Sequence, residues 1–224
     1  MRRLPRLLLG LPLLAALPAC TPSQALVYSL MPASAASTVV GNLREVNQDN
    51  RRKLIELERE GRWAELVKFA DENLAKDKAN HDWWIVKGYA LTQLGDHRGA
   101  IDAYSEAVRI EPDSAMAWNN LAQSYRASGD PQRAVVLLER AMLAVRDSAT
   151  TPYLLGESYS DLRRYDQAAG AYRQALAMDQ TFAPAWFGLS RAYSNLGRND
   201  DAREARKALE KLDPKLAQRL DEPR

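Results

Sequence analysis

The chain holds one cysteine and two histidines in 224 residues, and each shortage excludes something. A single thiol, Cys20, cannot close an internal disulfide, so pairing cannot staple this fold. His81 and His97 belong to no H-E-x-x-H or comparable ligand spacing, and neither metal nor cofactor is expected. No G-x-S-x-G and no phosphate-cradling glycine loop is present, and carboxylate pairs such as Glu56/Glu58 and Asp200/Asp201 read as solvated helix charges. An enzyme has no catalytic set to stand on, and no small-molecule substrate is expected. Charge of one sign is scarce as well. Taking Arg2, Arg3 and Arg6 from 31 Lys+Arg leaves 28 against 29 Asp+Glu, a near-neutral balance with no basic footprint for nucleic acid.

Long apolar runs are limited to one, and it is too short to span a bilayer. Leu7 to Leu17, "LLLGLPLLAAL", is eleven residues, and at ~1.5 Å rise each they fall well short of a ~30 Å hydrocarbon core. Behind Arg2, Arg3 and Arg6 it reads as a secretory signal covering residues 1–19. "LPAC" at residues 17–20 then resembles a bacterial lipobox, with Leu17, Ala19 and the acceptor Cys20 in place and Pro18 departing from the usual small or aliphatic residue. The resemblance implies a diacylglyceryl thioether on Cys20, cleavage before it, and a further acyl chain on the freed amine. Several chains supply the two or more signals that stable anchoring needs. Thr21 stands where an aspartate would resemble the inner-membrane retention signal, which favours the outer membrane, facing the periplasm. An ordinary cut after "ASA" (33–35) would lie eighteen residues past the apolar run, too far to be natural. Residues 20–43 carry no charge and are rich in Ala, Ser, Thr and Pro. They read as a flexible tether reaching roughly 80 Å, although Leu26, Val27, Tyr28, Leu30 and Met31 could dock on the folded part.

What the rest of the chain does have is a period. Ala100, Ala134, Ala168 and Ala202 are each 34 residues apart. Trp84, Trp118 and Trp186 keep that frame, with Pro152 in the third slot; so do Leu91, Tyr125, Tyr159 and Tyr193. Gly95, Gly129 and Gly197 share another slot with Arg163, and Ala107, Ala141 and Ala175 share one that Leu209 breaks. Within a unit the spacing is helical. Trp118, Leu121, Ala122 and Tyr125 follow i, i+3, i+4, i+7. Gly129-Asp130-Pro131 ends that helix and caps the next, which presents Ala134, Leu138 and Ala141. The small residues Gly88, Ala122, Gly156 and Ser190 are expected to face the small Ala100-type positions.

"WNNLAQSYRASGDPQRAVVLLERA" resembles the tetratricopeptide repeat, and Pro112 and Pro214 hold that family's closing proline while Arg146 and Gln180 do not. The resemblance implies an all-α fold, a right-handed α-solenoid of stacked 34-residue helix-turn-helix repeats. Four repeats are expected over residues 80–214, after a degenerate helix pair in residues 44–79 (about Gln48–Arg59 and Arg62–Lys76). A C-terminal cap or tail follows at 215–224, and residues 215–221 are expected to add one short helix. The polar last helix, with Arg206 and Leu209 in place of an aromatic and an alanine, suits a soluble end.

In that family a second stripe on each first helix lines a groove for an extended peptide or a partner helix. Here it reads Ile85/Tyr89/Thr92, Asn119/Gln123/Arg126, Tyr153/Glu157/Ser160 and Phe187/Arg191/Ser194. The expected partner-binding residues are Tyr89, Asn119, Asn120, Gln123, Arg126, Tyr153, Glu157, Phe187 and Arg191. Tyr89, Tyr153 and Phe187 either meet a partner or seal neighbouring repeats; the first alternative predicts that truncating Phe187 with Arg191 costs binding and little stability. Asn120 matches the family's C-terminal carboxylate clamp, but Ile85 and Tyr89 stand where that clamp needs Lys and Asn, so clamp binding is not expected. The architecture resembles lipoproteins of type IV and Flp pilus assembly (pilotin-like), which implies a lipid-anchored, periplasm-facing adaptor for pilus or secretion-system assembly. Rival readings are an adaptor for peptidoglycan hydrolases or a protease, and the repeat lipoprotein of the β-barrel assembly machine.

Overall fold

The computed structural model describes residues 43–44, 46–145 and 148–221. The signal, Cys20, the apolar residues 26–31 and Arg146 lie outside the described residues. Among the described residues ten helices form five consecutive hairpins: α1 Gln48–Arg59 with α2 Trp63–Leu74, α3 His81–Gln93 with α4 His97–Ile110, α5 Ala115–Ala127 with α6 Pro131–Ala144, α7 Thr150–Asp161 with α8 Tyr165–Met178, and α9 Ala183–Asn195 with α10 Asn199–Leu212. A short α11, Pro214–Gln218, and a 3-10 turn, Arg219–Asp221, close the chain. No strand occurs among the described residues. Each helix packs on the next, and the first helices α3, α5, α7 and α9 also touch their counterparts in neighbouring hairpins.

One backbone position makes every hairpin. Gly61, Gly95, Gly129, Arg163 and Gly197, spaced by 34, all have positive φ between 58° and 87°. After each, the next amide bonds back across the helix end: Arg62 N to Leu57 O at 2.9 Å, Asp96 N to Leu91 O at 2.9 Å, Asp130 N to Tyr125 O at 2.9 Å, Arg164 N to Tyr159 O at 2.8 Å, and Arg198 N to Tyr193 O at 2.9 Å. This left-handed cap satisfies carbonyls that the helix end leaves open and turns the chain. Glycine adopts it freely; Arg163 adopts it against a steric cost of roughly 1–2 kcal/mol. Side chains then start the second helices, as Asp96 and Asp130 accept from Gly99 N (2.9 Å) and Arg133 N (3.0 Å).

The tryptophan slot is equally regular. Trp84, Trp118 and Trp186 each donate Nε1–H to the carbonyl six residues earlier (Lys78, Pro112 and Gln180) at 2.8–3.0 Å. The indole thereby ties each first helix to the loop that precedes it, which explains why tryptophan keeps the slot. A Cβ on Gly88 would stand 2.7 Å from the Tyr104 ring, and one on Gly156 2.6 Å from the Tyr172 ring. These glycines therefore make room for an aromatic sixteen residues later. Where Leu138 replaces that aromatic, the facing slot holds Ala122, buried in the same cluster as Leu138 and Ala134. Ser190 meets its Ala100-type residue directly, donating Oγ–H to Ala202 O at 3.0 Å.

The folded part begins earlier than the tether boundary. Leu43 and Val46 are buried, in one cluster with Leu54, Leu57 and Trp83, and Arg51 Nη2 donates to Leu43 O at 2.6 Å. At the other end Arg206 reaches Asp221 with both terminal nitrogens (2.5 and 2.7 Å) and Glu210 through Nε (2.9 Å). That fork fastens the final turn over α10, while Leu209 is fully buried.

Candidate protein-binding face

The first slot of the stripe is closed. Ile85, Asn119, Tyr153 and Phe187 are 0, 7, 7 and 5% exposed. The Tyr153 ring lies 6.0 Å from Tyr172 and 5.2 Å, edge-on, from Phe182, both of them outside its own helix. Sealing of neighbouring repeats, the alternative raised by the sequence, accounts for Tyr153, and Phe187 is likewise buried rather than open to a partner. Asn119 keeps Oδ1 buried without a hydrogen-bond partner.

The second and third slots remain open in part. Tyr89, Asn120, Gln123, Arg126, Glu157 and Arg191 are half-buried and Ser194 is exposed. Tyr89 donates its hydroxyl to Glu58 Oε1 at 2.9 Å and sets its ring edge-on to Trp63 at 5.7 Å. Burial raises the Glu58 pKa, partly offset by this hydrogen bond. Arg126 is engaged on two sides, Nε to Asp161 Oδ2 at 2.8 Å and Nη2 to Glu157 Oε2 at 3.4 Å, with 7% of its side chain exposed. Burial acts to lower the Arg126 pKa, but the charges of Glu157 and Asp161 outweigh it and raise it, so the guanidinium stays charged. Glu157 Oε1 accepts from the Tyr172 hydroxyl at 2.6 Å, and Ser160 Oγ lies 3.1 Å from that hydroxyl. The middle of the face is thus a closed network. Arg191 differs: its guanidinium lies 5.6 Å over the Phe187 ring.

Sequence reading missed Glu58, Asp161 and Tyr172. A usable signal existed, because Glu58–Tyr89 and Arg126–Glu157 are both separated by 31 residues and Arg126–Asp161 by 35. Those offsets are one turn before and one residue after the 34-residue translation, so they bring facing side chains of adjacent first helices together.

A cavity of about 320 Å³ opens between the N-terminal ends of α3 and α5, lined by Arg44, His81, Asp82, Ile85, Glu111 and Met116 among others. His81 Nδ1 lies 3.6 Å from Asp82 Oδ1 and 3.7 Å from Glu111 Oε2, and His81 is buried. His97, at the start of α4, is half-buried with Nδ1 shielded and unpartnered. Among the described residues no group of three His, Cys, Asp or Glu could hold a metal ion, and no helix is long and apolar enough to cross a membrane.

Three family models match the chain: TPR repeat over residues 88–129, and tetratricopeptide repeat over residues 113–181 and 160–220. Together they run without a gap from α3 to the final turn, more than half of the chain. The chain belongs to the tetratricopeptide repeat proteins. It is 28% identical over 135 residues to a probable UDP-N-acetylglucosamine–peptide N-acetylglucosaminyltransferase SPINDLY of Hordeum vulgare, covering 57% of this chain and 14% of that protein. The match spans so little of the relative that it brings no transferase activity with it. The crystal structure of MamA shares the fold with a TM-score of 0.66 at 21% identity, over 78% of this chain and 99% of that one. PilW, titled a widely conserved type IV pilus biogenesis factor, shares it with a TM-score of 0.64 at 20% identity, over 75% of this chain and 79% of that one. At such identities the likeness is one of fold. Within it, this tetratricopeptide repeat protein keeps Ile85 buried and Tyr89 tied to Glu58, so two positions of the carboxylate clamp are occupied by other work.

Proposed function

We propose that this chain is a lipid-anchored tetratricopeptide repeat adaptor that binds a protein partner on its first-helix face and promotes pilus or secretion-system assembly at the outer membrane. The observation that carries the binding role is the partly open row of Gln123, Glu157, Arg191 and Ser194, in which Glu157 is already engaged by Arg126 and Tyr172. They lie side by side on α5, α7 and α9 above a sealed first slot. A rigid floor with adaptable polar groups above it suits recognition of a segment of another protein. The basic, apolar and "LPAC" stretches of the N-terminus support the anchor, through Cys20. The shared fold with a type IV pilus biogenesis factor supports the pathway.

The test is recovery of the full-length tagged chain from detergent-solubilised membranes, with its partners identified by mass spectrometry. Ser194→Trp adds bulk to the exposed face without entering the core, and Gln174→Trp does the same on the exposed side of α8. A defined partner kept by Gln174→Trp and lost by Ser194→Trp supports the face; equal recovery by both refutes it. Cys20→Ser should leave a larger precursor that takes up no labelled palmitate. Labelling and sorting like the unaltered chain would remove the lipid anchor from the reading. Pilus or secretion components among the partners support the pathway, and hydrolases or β-barrel assembly proteins replace it.

A further inference from the structure

We propose that Arg191 is the anion site of this face, taking a glutamate or aspartate side chain of the bound protein segment; the inference rests on the protein-binding reading above. Among the described residues the half-buried lysines and arginines are Arg51, Lys87, Arg126, Arg191, Arg206 and Arg219. Arg51 is satisfied by Leu43 O, Lys87 by Asp71 at 2.7 Å, Arg126 by Glu157 and Asp161, and Arg206 by Glu210 and Asp221. Arg219 also has a partner within the fold. Among the described residues Arg191 has no carboxylate within 4 Å. Its guanidinium lies 5.6 Å from the centroid of the Phe187 ring and near enough to Tyr153 to act electrostatically on its hydroxyl. A cation taken partly out of water without a counter-charge is unfavourable, and every comparable cation here avoids that state.

The reason lies in the repeat. Arg126 draws Glu157 from the first helix that follows it, across the 31-residue offset, and Tyr89 draws Glu58 from the one that precedes it. The residue 31 positions before Arg191 is Ser160, which brings no charge and already lies against the Tyr172 hydroxyl. On the far side α11 is a single short helix, and the nearby Asp221 is spent on Arg206. So the last repeat lacks the carboxylate that the fold supplies elsewhere. A partner lying along α9 can supply it.

The geometry also sets the class of anion. The guanidinium lies 5.6 Å from the centroid of the Phe187 ring and makes no ion pair among the described residues, so its planar fork can serve the bidentate pairing that arginine makes with carboxylates. A single cation, with Glu157 and Asp161 on the neighbouring α7, matches one negative charge better than a dianionic phosphate. A chain-terminal carboxylate would need further donors of the clamp type, where this protein has buried Ile85 and engaged Tyr89.

Random peptides displayed as internal segments, with no free carboxy terminus, are selected on the full-length chain in detergent and, in parallel, on Arg191→Gln. Peptides selected by the unaltered chain should carry Glu or Asp at one fixed position, and Arg191→Gln should lose that preference. A selected peptide, amidated at its end, should bind about tenfold more weakly, 1.4 kcal/mol, when its acid is changed to Gln. On Arg191→Gln the two forms should bind alike. Enriched peptides with no acidic position, or the same acidic preference on Arg191→Gln, overturn the site while leaving the face intact. No enrichment at all overturns the face reading and the site with it. Tight binding that appears only when the acid is placed at a free carboxy terminus replaces the side-chain anion by a terminal one.

Discussion

One substitution made at two glycines should change stability in opposite directions. Gly156 lies in α7 and Gly170 in α8, both inside helices, so replacing either by alanine gains roughly 0.4–1 kcal/mol from the stiffer unfolded chain. At Gly170 nothing lies within 4 Å of an added Cβ, and the gain should appear whole. At Gly156 the new carbon would stand 2.6 Å from Cε1 of Tyr172. The ring cannot retreat. Its other side faces Gly188, where a Cβ would come within 2.5 Å of the ring's Cζ, and its hydroxyl is held by Glu157 at 2.6 Å and Ser160 at 3.1 Å. Overpacking a filled core costs typically about 1–3 kcal/mol, and a ring pinned on both faces argues for the upper end. Gly156→Ala should therefore lose about 2 kcal/mol net while Gly170→Ala gains up to about 1 kcal/mol. Urea unfolding followed by circular dichroism reads both as midpoint shifts at constant m. A solenoid can also loosen locally, so amide exchange in α7 to α9 is the second readout, faster in Gly156→Ala and unchanged in Gly170→Ala. Gly156→Ala as stable as the unaltered protein, or a loss at Gly170→Ala, would show that these contacts do not govern the packing.

The hairpins were legible because each depends on a few side chains with one job. Gly95 and Gly129 announce the left-handed turn, Asp96 and Asp130 the cap, and the Trp–Leu–Ala–Tyr face the buried side of the first helix. Arg163 shows the limit: the period demands a turn there, the residue resists it, and the fold prevails at a local cost. Which stripe residues stay open was not legible. Periodicity places Phe187 and Arg191 on one side of α9, but the width of the gap between neighbouring first helices decides which of them is covered, and no local pattern encodes that width. The same holds for Leu43, whose apolar side chain reads as tether until α1 and α3 are in place to bury it.

Arg163→Gly should remove the cost of the left-handed turn and gain roughly 1 kcal/mol, a rise of about 2–4 °C in melting temperature; no rise would mean that the hairpin relaxes around arginine. In alkali, burial and the hydrogen bond to Glu139 push Tyr159 up to about 12, and burial also raises Tyr153 and Tyr172. The folded state keeps protons that unfolded phenols release near pH 10, so stability should fall as pH rises from about 10 to 12, and simple titration of all nine tyrosines near 10 with the fold intact would contradict it. Glu58, raised by burial, favours folding in acid and loses that contribution as pH rises through its folded pKa. Glu58→Gln keeps an acceptor for Tyr89 and should stabilise at neutral pH but not in acid; a gain independent of pH would point to packing. The last expectation separates floor from contact on α9. Phe187 is 5% exposed, so Phe187→Ala should cost about 3–5 kcal/mol, as for other buried aromatics. Arg191 lends the ring a cation–π contact worth about 0.5–1 kcal/mol at a partly exposed site, and Arg191→Gln should cost no more than that. Calorimetry without any partner decides between them. An Phe187→Ala protein that melts with the unaltered chain would mean that Phe187 is no part of the floor, and the aromatic would return to the binding surface beside Arg191.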